Sequence, residues 1–180
     1  MPAIAGVSLQ AARARIKYPG RDDLLLVTLD RGTTVAGVFT RSATASAPVQ
    51  WSKKVAASGK ARAILINSGN ANTFTGVQGV ADVKSTAAMA GRAVGCRDRD
   101  VLIASTGVIG EPLPVDRVQR ALAGMESGSR GASWIRAARA IGTTDTYPKG
   151  AVRRVRIGGT EVSLCGIAKG SGMIAPDMAT

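Results

Sequence analysis

The segment 152–167, VRRVRIGGTEVSLCGI, reads as two β-type runs, Val152 to Ile157 and Glu161 to Ile167, joined across Gly158-Gly159. Paired glycines between alternating runs are a tight-turn signal, because both positions of the favoured hairpin turns accept positive φ. Arg153, Arg154 and Arg156 form the densest basic stretch of the chain, and within an alternating run they read as the solvated face or edge of a strand. Working outward, Leu24 to Leu29 and Thr34 to Phe39 flank Asp30-Arg31-Gly32, which reads as a second hairpin turn. Ala63 to Asn67 and Val101 to Ala104 are further short apolar runs bounded by polar turn residues. Helical periods lie between them. Val80, Val83, Ala87, Ala90 and Val94 recur at helical spacing, as do Val115, Val118, Leu122 and Met125 after Pro114, a residue suited to a first helical turn. Trp134, Ile135, Ala138 and Ile141 form a third stripe, and Pro48 to Ala57 a weaker fourth. Hairpin-like strand pairs mixed with helices argue for an α/β (α+β) sandwich of mixed sheets rather than a strictly alternating parallel sheet. Gly124 to Gly131 reads as a loop within a single domain spanning 1–180.

Composition excludes whole classes of chemistry. The 180 residues include no His, so neither Ser-His-Asp nor Cys-His catalysis nor a His-ligated metal is available from this chain. Any base is a carboxylate, a Lys or an amine. Cys96 and Cys165 are widely separated and do not form a zinc motif, and no metal or cofactor is expected. No apolar run is long enough to span a bilayer and no secretion signal opens the chain, so the expected compartment is the cytoplasm, with no membrane contact. The net charge of +12 favours anionic metabolites or an acidic partner. The basic residues are scattered, and with only two each of Phe, Trp and Tyr the stacking surface expected of a nucleic-acid binder is lacking.

Four segments carry donors, acceptors or freely rotating amides. Asn67-Ser68-Gly69-Asn70-Ala71-Asn72 reads either as turns satisfying their own backbone or as a site wall. Ser105-Thr106-Gly107-Val108-Ile109-Gly110 follows a strand and places hydroxyls and glycine amides where an oxyanion could be met, or forms an ordinary turn. Thr143-Thr144-Asp145-Thr146 either binds a polar substrate or ends a helix ahead of Pro148. Gly170 to Ala175 formally fits a dinucleotide-binding glycine pattern, but Pro176 would interrupt the required helix. Lys169 beside glycines, followed by the small-residue junction Ala179-Thr180, suggests instead a self-cleaving peptide bond. A threonine freed there carries its own base, since an α-amine titrates near ~8 and can take the hydroxyl proton without histidine.

Phe39-Thr40-Arg41-Ser42, NSGNAN (67–72), IASTGVIG (103–110), IGTTDTYPK (141–149) and GIAKGSGMIAPDMAT (166–180) together resemble the α chain of the ornithine acetyltransferase family, the glutamate N-acetyltransferases of arginine biosynthesis. The resemblance implies a fold of the ornithine acetyltransferase and DmpA type, completed by a separate β chain. It also implies a precursor cut between Ala179 and Thr180, an α2β2 heterotetramer, and ping-pong transfer of acetyl from N-acetylornithine to glutamate through an acetyl-threonine. On the matching positions, Thr180 is the nucleophile, Thr106 and Gly107 form the oxyanion hole, and Thr143 and Lys169, with Thr180, hold the substrate. In that family the α chain ends at the position of Ala179 and the β chain opens with the threonine. Some members also take acetyl from acetyl-CoA. Two other readings compete: a self-processing N-terminal-nucleophile amidohydrolase or aminopeptidase, and a basic, non-catalytic binding module.

Overall fold

The computed structural model describes residues 1–126 and 131–172. Its centre is a four-stranded mixed sheet in the order β1 (Val7–Ala12), β2 (Leu24–Leu29), β3 (Ala63–Asn70), β4 (Val101–Val108). β2 runs antiparallel to both β1 and β3, whereas β3 and β4 are parallel. A parallel pair needs a long crossover. Here it is α2 (Gly76–Val94), which ends at Gly95 with φ +70, the left-handed conformation that glycine adopts without strain.

β2 explains why this sheet is covered on both sides. Its Leu24 and Leu26 join Ala63, Leu65, Val101 and Ile103 beneath α2 and α3 (Val115–Glu126). Leu25, Val27 and Leu29 point the other way, into a second cluster with Leu9, Leu102 and Ala137, Ala140 and Ile141 of α4 (Trp134–Ile141). Period-two alternation of an unbroken apolar run thus supplies two cores at once. Each fully buried leucine contributes on the order of 2 kcal/mol from transfer alone.

α1 (Ala47–Ala56) lies along β4 and seals part of its outer edge with side chains. Ser52 Oγ donates to the Ile103 carbonyl at 2.6 Å and accepts the Ile103 amide at 2.8 Å, while Trp51 Nε1 donates to the Val101 carbonyl at 2.9 Å. Backbone groups that would otherwise be unpaired are satisfied without a fifth strand.

The second sheet is the hairpin β5 (Lys149–Ile157) and β6 (Thr160–Ala168), turned through Gly158 and Gly159 at φ +54 and +83. This is the hairpin the glycine pair predicts, and Arg153, Arg154 and Arg156 are exposed on it as expected.

Several sequence expectations need correction. Asp30-Arg31-Gly32 does turn the chain, with Thr33 N donating to Asp30 O at 3.2 Å, but no hairpin follows. Thr34 makes only an isolated bridge to Lys60, because β1 and β3 already occupy both edges of β2. β1 itself is absent from the sequence reading: VSLQAA has a short, alanine-rich inward face of Leu9 and Ala11 and carries little strand signal. In α2 the buried stripe is Gly79, Asp82, Val83, Thr86, Ala87 and Ala90, so Val80 turns outward. In α4, Ile135 is exposed and the buried face consists of Ala137, Ala138, Ala140 and Ile141. The expected loop 124–131 begins inside α3, which continues to Glu126, and residues 127–130 lie outside the described ones.

Candidate active site

β3 and β4 extend beyond their apolar runs into the asparagine- and glycine-containing segments, and this brings polar groups to the sheet's end. Gly69 and Gly107 face each other there, at φ +105 and +137. A Cβ on Gly107 would sit 2.3 Å from the carbonyl carbon of Gly69 and 2.5 Å from the amide nitrogen of Asn70. Only glycine fits, for steric as well as conformational reasons.

The carboxamides of NSGNAN are committed to scaffolding. Asn67 Nδ2 donates to the Asn70 carbonyl at 2.8 Å and Asn67 Oδ1 accepts from Ser105 Oγ at 2.6 Å. Asn70 Oδ1 accepts the Asn72 amide at 2.7 Å, and Asn70 Nδ2 reaches the carbonyl of Glu111. Asn72 Nδ2 donates to Gly79 O at 3.0 Å, fixing the start of α2. All three side chains are buried. Two of these bonds satisfy the segment's own backbone, as one of its two readings expects, while the others tie it to Ser105, Glu111 and the start of α2.

Three distant segments then meet. Lys169, just past β6, donates from Nζ to Thr106 Oγ1 on β4 at 2.7 Å and to Thr143 Oγ1 in the loop after α4 at 3.3 Å. Thr106 is the immediate neighbour of Gly107. Thus Thr106, Gly107, Thr143 and Lys169, identified separately in the sequence, are gathered at one place, whereas Ala179 and Thr180 lie outside the described residues. Because both hydroxyl oxygens accept from the ammonium, each keeps its own hydrogen to donate elsewhere. No carboxylate among the described residues forms an ion pair with Lys169.

Asp145 was not singled out as a site residue in the sequence, yet it ties this arrangement together. Its Oδ1 accepts from Lys149 Nζ and from the Gly170 amide, both at 2.7 Å, and its Oδ2 accepts the Thr143 amide at 3.1 Å. Burial pushes the carboxyl upward, but the Lys149 bond and the two amides outweigh it and hold Asp145 well below the usual carboxylate range. Arg21 braces the same loop from its other side, donating to the carbonyls of Gly142 and Thr143 while stacking 4.0 Å above the Tyr18 ring. In the sequence Asp145 stands within the 143–146 segment read as binding a polar substrate or ending a helix, and four residues before Lys149. Nothing local announced Arg21.

A fully buried carboxylate elsewhere is structural. Asp23 is fully buried and accepts the amides of Ala14, Arg15 and Ile16 at 2.7, 3.2 and 2.6 Å, folding the β1–β2 connection back on itself. Burial raises its carboxyl above the ordinary value despite those amides. That connection passes directly over the sheet's end, where a Cβ on Gly69 would lie 2.8 Å from Lys17 Cβ.

Comparison with known proteins gives the family and the fold. Residues 8–180 match the ArgJ family model. The chain belongs to the ArgJ family. It is 52% identical over 180 residues to the arginine biosynthesis bifunctional protein ArgJ of Mesorhizobium japonicum, and 50% identical to the protein of the same name from Bradyrhizobium diazoefficiens. Each alignment takes in all of this chain but 44% of the relative, so the chain spans less than half the length of these ArgJ proteins. Among solved structures, ArgJ from Bacillus halodurans superposes with a TM-score of 0.85 at 32% identity, covering 94% of this chain and 89% of that one. The ornithine acetyltransferase of Mycobacterium tuberculosis, solved in complex with ornithine, gives 0.85 at 35% identity over 96% and 92%. The mixed-sheet α/β architecture is therefore that of solved ArgJ family structures.

Proposed function

We propose that this chain is the oxyanion-binding and substrate-gripping α part of a glutamate N-acetyltransferase that moves acetyl from N2-acetyl-L-ornithine to L-glutamate in arginine biosynthesis. The observation that carries the reading is the convergence of Thr106, Thr143 and Lys169 in a chain of the ArgJ family. The neighbour solved with ornithine supports the substrate class.

In this mechanism the precursor opens between Ala179 and Thr180, and the new α-amine takes the proton of the Thr180 hydroxyl. The oxygen adds to the acetyl carbonyl of N-acetylornithine. The resulting oxyanion is received by the Gly107 amide and the Thr106 hydroxyl, whose hydrogen is free because Lys169 donates to its oxygen. Collapse breaks the C–N bond, the α-ammonium returns its proton to the leaving amine, and ornithine departs. The amine of glutamate then adds to the acetyl ester, and the same groups run in reverse to release N-acetylglutamate and the threonine hydroxyl. Lys169, with donors to spare, holds a substrate carboxylate alongside Thr143.

The partner is the β chain of the same precursor in an α2β2 assembly, and the 44% coverage of longer relatives is in keeping with it. The proposed compartment is the cytoplasm. The relatives' description as bifunctional supports a second use of the same site, acetyl transfer from acetyl-CoA to glutamate.

Intact mass of the full-length, processed protein after brief exposure to N-acetylornithine tests the reading. One added acetyl on the fragment beginning at Thr180 is expected, and an unmodified fragment overturns it. A Thr180→Ala precursor is expected to run as one uncut band. Acetyl release to water in place of transfer to glutamate would point to the amidohydrolase reading.

A further inference from the structure

Asp145 touches neither Thr106 nor the Lys169 ammonium, yet it is bonded on one side to the Thr143 amide and on the other to Gly170, the residue after Lys169. These two segments enter the site from different elements, the loop after α4 and the end of β6. The β5–β6 hairpin that delivers Lys169 is largely exposed, and although Ile167 packs against the second core cluster, the residues after β6 leave that contact and are held by polar tethers. We infer that Asp145 is a positioning residue for the acetyl transfer, setting Lys169 against Thr143 and Thr106 so that ammonium and hydroxyls address one substrate. The inference rests on the functional reading above for its chemistry, though the geometry it concerns exists without substrate.

The charge of Asp145 matters as well as its shape. Both carboxylate oxygens accept only: Oδ1 takes Lys149 Nζ and the Gly170 amide, Oδ2 the Thr143 amide. An asparagine is nearly the same size but must turn an NH2 toward one of these donors. In one orientation it loses the tether to Gly170 and Lys149, in the other the tether to Thr143. A shift of about 1 Å in a substrate-holding group costs about a hundredfold in rate. Lys149 acts one step further out. It neutralises Asp145 while its ammonium lies 4.4 Å above the Tyr147 ring, and its loss leaves both amide tethers in place.

The test uses the full-length, processed protein. Asp145→Asn is expected to lower kcat/KM for N-acetylornithine about a hundredfold while the protein stays folded at the assay temperature and is still cut at residue 180. Lys149→Met is expected to lower it only about threefold, as for a half-exposed ion pair. The deciding comparison is the double variant. If Asp145 works through Lys169, then Asp145→Asn with Lys169→Met is no slower than Lys169→Met alone. Multiplying losses would overturn the inference, as would wild-type kinetics in Asp145→Asn. Should the asparagine variant melt early, the same comparison is made below its melting temperature, where it is folded. A wild-type enzyme that never acetylates Thr180 would sink the functional reading, and a crystal structure of Asp145→Asn then decides the positional claim. Lys169 out of hydrogen-bond reach of Thr106 supports it, and an unmoved Lys169 refutes it.

Discussion

The four-stranded sheet and the β5–β6 hairpin are built from similar residues to opposite effect. In the sheet, Leu24 and Leu25 are both 0% exposed although they are sequence neighbours pointing to opposite faces. In the hairpin, Ile157 and Leu164 remain 63% and 55% exposed. Stability therefore resides in the sheet. Yet the candidate site takes Thr106 from the first and Lys169 from the end of the second, so its geometry depends on a few polar tethers between a stiff body and a loosely covered one. Strength and placement come from different physics: burial gives the first, directed hydrogen bonds the second.

The most severe way to break the stiff side is Gly107→Ala. The added methyl meets backbone rather than a yielding side chain, and φ +137 is strained for alanine, so a loss of about 4 kcal/mol in chemical denaturation is expected. Leu25→Ala, which opens a cavity beneath α4, is expected to cost about 3 kcal/mol in the same measurement. The tether between the two bodies is sharpened by pH. Since folding holds the Asp145 carboxyl below its unfolded value near ~3.9, its stabilisation is fully present above that value and fades as pH falls through it toward the lower folded one. The stability gap between wild type and Asp145→Asn is accordingly expected to be constant from pH 6 to 5 and to shrink below pH 4. A gap that widened on acidification would contradict the depressed carboxyl. Smallest of all, Leu164→Ser on the exposed hairpin face is expected to change stability by no more than about 0.5 kcal/mol.

The same contrast explains what the sequence could reveal. The β5–β6 hairpin was legible because its signal is local: two glycines with positive φ between alternating runs. The extents of α2, α3 and α4 were legible from period, but which side of α2 is buried was not. Gly79 rather than Val80 faces inward because Asn72 and Thr75 of the helix start lie against it, and a Cβ there would fall 2.0 Å from Thr75 Oγ1. The pairing of β2 was not legible at all. Its nearest following run, Thr34 to Phe39, loses to β1 and β3, and nothing within 24–39 records that competition. At the site, Thr106, Gly107, Thr143 and Lys169 carried motif information and Asp145 lies within one of the same motifs, but its bond to Gly170, like those of Arg21, goes to backbone of another segment, and such partnerships leave no pattern in neighbouring residues.

The Trp51 and Ser52 contacts have a last implication for the margin of β4. A neighbouring strand accepted there would itself present a new row of open amides, and the ladder could grow without limit. An indole and a hydroxyl end it instead, since neither can pass the pattern on. Self-association by sheet extension is thereby blocked along the first half of that border.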